Sequence, residues 1–187
     1  ERAAPLADEV RAETGGLARR LNRAAEGSRH DVGRFCYPDC TVPSTLRPAI
    51  ESTCARPGGV GGAVRLELDD PRRVCRWLAR GSHLRSLAGL GPFGDQGIFV
   101  RREVFEEIGG YRTDRLLEDL DLVRRLRRLG PFRLHPDPII SSVRRWERDG
   151  ILRTTARHWG MLTRHFLGRR RVGSAQAAYA RWRTGGR

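Results

Sequence analysis

Between Gly94 and Pro131 the signals for strand and helix alternate at close quarters, and glycine marks each change. A glycine- and proline-rich loop over 89–94 delivers Asp95 and Gln96 into an apolar strand expected over 96–100. A short helix over 103–108 is closed by Gly109-Gly110. Leu117, Leu120, Val123, Leu126 and Leu129 then recur three apart, an apolar stripe on a helix that Gly130-Pro131 ends.

The flanks carry the same alternation. Leu17, Leu21 and Ala24 predict a helix over 17–25 with Gly27 as its stop, and 32–37 reads as a strand ending in a Pro38-Asp39 turn. Pro43-Ser44 starts a helix through Ile50, with Ser44 as the expected N-cap. Residues 61–68 alternate Ala63, Arg65 and Glu67 with Val64, Leu66 and Leu68, the period of a half-buried strand. Asp70-Pro71 opens a helix carrying Val74, Trp77, Leu78, Leu84 and Leu87. Short strands are expected over 131–135 and 139–143, a last helix over 151–166, and a small basic tail over 168–187. The sum is an α/β layered fold with a mixed sheet.

Composition narrows the setting. At 187 residues the chain is one domain by length and can bury a core. It has no apolar run near the ~20 residues of a membrane span, and its start lacks the basic-then-apolar layout of a signal peptide. With no initiator Met, it reads as a piece of something longer. The formal charge is +14, and all 36 basic residues are Arg. Arginine binds phosphate bidentately, which suits nucleic acid, anionic lipid or a nucleotide diphosphate. The arginines are spread along the chain, as on solvated faces, so no specific nucleic-acid partner is expected. Cys36, Cys40, Cys54 and Cys75 form no CxxC pair and are read as free thiols in a reducing, cytoplasmic setting. His30, His83, His135, His158 and His165 form no metal-binding spacing.

Several polar residues stand where chemistry is done. Asp39 follows a strand end, where open α/β sheets bind ligands, although a Pro-Asp turn is also common in its own right. Glu118, Asp119 and Asp121 open a helix whose last turns carry arginines, the arrangement the helix dipole favours, and grouped acids also suit proton transfer. Asp95 and Gln96, between Gly94 and Gly97, can hydrogen-bond hydroxyls or simply form a capped turn. Arg144-Arg145-Trp146 either clamps a diphosphate and stacks on a ring or forms a solvated basic turn with Trp146 in the core.

The succession Gly94-Asp95-Gln96-Gly97, Phe99-Val100-Arg101-Arg102, Phe105-x-x-Ile108-Gly109-Gly110-Tyr111 and Leu117-Glu118-Asp119-Leu120-Asp121-Leu122 resembles the acceptor-side half of family 2 glycosyltransferases of GT-A fold. More narrowly, it resembles the arsenosugar-biosynthesis subfamily, also described as radical-SAM/selenodomain-associated transferase 2. The run Arg144-Arg145-Trp146-Glu147-Arg148 before the last helix is similar too. The likeness is dense over 59–155 and thinner over 15–50.

The resemblance implies a three-layer GT-A domain over 1–145, lacking its first strands, then a C-terminal helix and basic tail over 146–187. The missing strands would carry the family's Pro-x-x-Asn-Glu turn and Asp-Gly-x-Ser motif, so a chain of this extent is expected to fold poorly or to be inactive. The implied reaction is inverting transfer of a sugar from a nucleotide diphosphate sugar to the hydroxyl of a small or lipid-linked acceptor. Asp119 is the implied general base and Glu118 positions. Asp39 holds a divalent cation, Mg or Mn, although Tyr37, Pro38 and Cys40 replace the family's usual small and polar residues around it. Gly94, Asp95 and Gln96 bind the acceptor or sugar. Arg144, Arg145 and Trp146 engage the donor, and Arg19 and Asn22 lie near the diphosphate, on a helix start similar to the family's. The competing expectation is an inactive fragment or a basic module for nucleic acid or anionic membrane, drawing on Trp159, Phe166 and the arginines of the last helix.

Overall fold

A computed structural model of the chain describes residues 14–115 and 117–166, without the side chains of Arg145, Leu152, Arg164 and Phe166. The elements in chain order are α1 (Leu17–Glu26), β1 (Val32–Phe35), β2 (Cys40–Thr41), α2 (Leu46–Cys54), β3 (Gly61–Leu68), α3 (Arg73–Leu87), β4 (Ile98–Arg101), α4 (Arg102–Glu107), α5 (Glu118–Leu129), β5 (Phe132–Ser141), α6 (Arg144–Asp149) and α7 (Ile151–Phe166). A single 3₁₀ turn, Gly94–Gln96, precedes β4. The expected tail over 168–187 lies outside the described residues.

The strands form one mixed sheet in the order β1-β4-β3-β5-β2, which brings the strands expected over 32–37, 61–68 and 96–100 together. Only β3 and β5 run parallel. Side chains alternate across the sheet and divide the interior in two. Ala63, Ile98 and Val100 join Ala18 of α1, Phe35, Phe105 of α4, and Leu122, Val123 and Leu126 of α5 in one core. Val64, Phe99 and Ile139 face the other way, against Leu46 and Ile50 of α2. Helices therefore cover both faces. A third cluster joins Leu117 and Leu120 at the start of α5 to Leu162 of α7.

The sheet is tight where β3 enters it. A Cβ on Gly62 would meet the Arg133 carbonyl on one side and Phe99 Cζ, at 2.6 Å, on the other. Only glycine lets the flanking backbones close on this point.

Several expectations change against this frame. The half-buried strand over 61–68 is buried on both faces through Val64, because a core packs on each side of the sheet, Ala63 in one and Val64 in the other. The two strands expected over 131–135 and 139–143 are one strand, β5, whose register with β3 shifts between Val64 and Arg65 as it passes Pro136. The first strand ends at Phe35, earlier than expected. Ser44 is not the cap of α2: Thr45 holds that position, and neither side chain bonds the helix end. The largest change is in α3. Its buried side is Cys75, Ala79 and Ser86, while Val74, Trp77, Leu84 and Leu87 are exposed.

Two substitutions test the placement of the core. Leu126→Ala removes a fully buried side chain and should cost about 2–5 kcal/mol of unfolding free energy in a denaturant titration. Leu84→Ser on the outer side of α3 should stay within about 0.5 kcal/mol of wild type. A comparable loss for Leu84→Ser would mean that α3 faces inward.

Candidate functional site

The site is built around the start of α5. Leu117 precedes that helix at φ 61°, a left-handed conformation that is uncommon and costly for a branched residue. This turn delivers Glu118 and Asp119 in buried positions, with the positive end of the helix dipole behind them.

The Asp119 carboxylate is fixed from two sides. Its Oδ2 accepts a hydrogen bond from the Tyr37 hydroxyl at 3.0 Å and another from the Gly94 backbone N–H at 2.9 Å. Tyr37 lies just past β1 and Gly94 just before β4, so one oxygen gathers three distant stretches of chain. Gly94 must be glycine, since a Cβ there would fall inside the Tyr37 phenol.

A cavity of about 280 Å³ opens in front of this clamp. Asp95, Glu118, Asp119 and Trp146 all line it, together with Tyr37, and α3 and α7 form its walls. The Trp146 ring meets His158 of α7 edge-on, with centroids 5.4 Å apart. Sequence reasoning missed Arg85, Trp77 and His158, which line the same space. Arg85 lies with its guanidinium 4.2 Å from the Phe93 ring centroid and donates to the Leu90 carbonyl. Burial lowers its pKa, and the Asp95 charge opposes that shift. No periodicity points to these residues, because α3 and α7 meet only in three dimensions.

Other expected site residues have structural work. Gln96 is fully buried: its amide N–H donates to the Val64 carbonyl at 3.3 Å, and its Oε1 accepts from the Ser86 hydroxyl at 2.9 Å. It ties the turn to β3 and α3, leaving Asp95 as the member of the pair that faces the cavity. Asn22 bonds both backbone groups of Tyr111, donating to its carbonyl and accepting from its N–H, each at 2.8 Å. Arg19 is exposed on α1, outside the cavity lining. Arg144 is exposed on α6 and donates to the Ser142 hydroxyl at 3.2 Å. The Arg145 side chain lies outside the described part of the structure.

Asp39 stands on the turn between β1 and β2, where its carbonyl accepts from Ser142 N–H at 2.9 Å. It is outside the cavity lining but borders the same thiol as Asp95. Burial raises the Cys40 pKa to about 11; a hydrogen bond with Ser141 works against this, and the charges of Asp39 and Asp95 add to it. Among the described residues, no three His, Cys, Asp or Glu side chains gather as a metal cage. One turn carboxylate does fit the other arrangement used by hard dications, in which substrate phosphates and water complete the shell.

Comparisons with protein families, curated proteins and solved structures find no match for this chain.

The four thiols are all free, and burial raises each one's pKa. A raised pKa keeps the reactive thiolate scarce below it. Alkylation of Cys40 by iodoacetamide should therefore be slow at pH 8 and keep accelerating as pH rises towards about 11. A rate that levels off near pH 9 would show that the thiol is not held in this environment.

Proposed function

We propose that this chain is the acceptor-side part of an inverting glycosyltransferase with a GT-A-like architecture, acting on a nucleotide diphosphate sugar. The observation that supports this most directly is the gathering of Asp95, Glu118, Asp119 and Trp146 around one cavity, from three separate stretches of sequence. A general base must be held within hydrogen-bond reach of the proton it takes. The Asp119 carboxylate lines that cavity and is held by Tyr37 and Gly94, at the packed start of α5, which supports this role.

In this reading an acceptor sugar or alcohol enters the cavity against Trp146, whose face offers the apolar surface on which a sugar ring stacks. Asp95 and Glu118 accept hydrogen bonds from its hydroxyls and turn the reacting one towards Asp119. Asp119 removes that proton as the oxygen attacks the anomeric carbon, and the nucleotide diphosphate leaves from the opposite face with inversion. Asp39 would hold Mg²⁺ or Mn²⁺ jointly with the diphosphate oxygens, and that ion would neutralise charge on the leaving group. Arg144 and Arg145, beside Trp146 on α6, supply cations for the same diphosphate.

The test uses the protein translated from its complete reading frame, with a panel of nucleotide sugars. Asp119→Asn keeps an oxygen that can accept from Tyr37 and Gly94, so the fold should survive while the base is lost. Transfer should fall by ~10²–10⁴ while donor binding, read by calorimetry, persists. A variant within about threefold of wild type, well below that range, rejects Asp119 as the base. Unchanged donor binding and turnover in EDTA would reject the role given to Asp39.

A further inference from the structure

Helix α3 presents an apolar stripe to the outside. Val74, Trp77 and Leu84, with Gly81 between the last two, follow spacings of three and four and so share one side of the helix, opposite the buried Cys75, Ala79 and Ser86. Trp77 is 70% exposed and Leu84 64%. Trp159 of α7 is 52% exposed, and it and Trp77 both line the mouth of the cavity at Asp119. An exposed apolar surface of this kind, shared by two elements, marks an interaction site.

Charge decides the partner. Four arginines lie in α3 and three in α7, and neither helix contains an acid. Arg73, Arg76 and Arg80 are exposed and flank the α3 stripe on one side. Tryptophan and arginine both have an apolar body and a polar end, which suits the headgroup boundary of a bilayer. Anionic headgroups attract the guanidinium groups while the indole rings and leucines sink past them.

We propose that the outer side of α3, together with Trp159, docks this protein on an anionic membrane surface and turns the cavity mouth towards the lipid. The proposal does not depend on the transferase reading.

The experiment is co-sedimentation with phosphatidylcholine–phosphatidylglycerol vesicles against phosphatidylcholine alone, for wild type and two double variants. Trp77→Ala/Leu84→Ala removes apolar contact from α3, and Arg19→Gln/Arg23→Gln removes the same kind of charge from α1. Thermal melts confirm that each variant is folded. Wild type should partition to the anionic vesicles, the α3 variant should lose roughly tenfold or more, and the α1 variant should lose much less. Equal losses in both variants would mean attachment by diffuse charge alone and would overturn the proposal. So would an α3 variant that binds like wild type, or a wild type that ignores the vesicles. Self-association in light scattering that Trp77→Ala abolishes would assign the stripe to a second copy and overturn it too.

Discussion

One carboxylate oxygen holds the architecture of the site together. Asp119 Oδ2 accepts from a phenol that follows β1 and a backbone N–H that precedes β4, while its own backbone begins α5. Hydrogen bonds to a charged acceptor contribute about 1.5–3 kcal/mol each, more than neutral ones. Here they also set geometry, tying the start of α5 to the chain beside β1 and β4, while Leu117 and Leu120 pack against Leu162 of α7. The glycine at Gly94 belongs to this clamp, since a Cβ there would collide with the Tyr37 phenol.

A second set of bonds braces the same helix further along. Arg125 on α5 donates to Asp121 at 2.9 Å, to the Ile108 carbonyl at 2.7 Å and to the Gly110 carbonyl at 2.6 Å. Asn22 of α1 holds the next residue, Tyr111, whose ring packs edge-on against Phe35 and Phe105. The double-glycine turn is thus pinned from α1 and α5 while its aromatic neighbour enters the core.

How much of this was legible in the sequence follows from what a period can encode. The extents of β3 and α7, and the acids that open α5, follow from spacing and from glycine stops. Spacing alone does not say which side of a helix meets the sheet. In α3 the small residues Cys75, Ala79 and Ser86 pack close to β3, and the large apolar ones are left outside. The glycine turn suggests Gln96 as a substrate ligand and the family resemblance suggests Asn22, but their amides are engaged with Val64, Ser86 and Tyr111. Tyr37 counted against the family likeness at the Asp39 turn, yet its hydroxyl holds Asp119. Such a bond spans the chain, and no local pattern records it.

The charge distribution divides the site in a way that bears on the proposed chemistry. The protein carries a formal charge of +14, yet the cavity is lined by three carboxylates, with Arg85 as its guanidinium and His158 beside Trp146. A diphosphate placed among Asp95, Glu118 and Asp119 would meet like charge at close range in a partly desolvated space, where repulsion is strong. A neutral polyol meets no such repulsion and can donate its hydroxyls to the same carboxylates. Under the proposed reading the cavity therefore belongs to the acceptor, and the donor's phosphates belong outside it, towards the Asp39 turn and the arginines of α6. In that reading the nucleophile would approach from the cavity and the leaving group would depart away from it, as inversion requires.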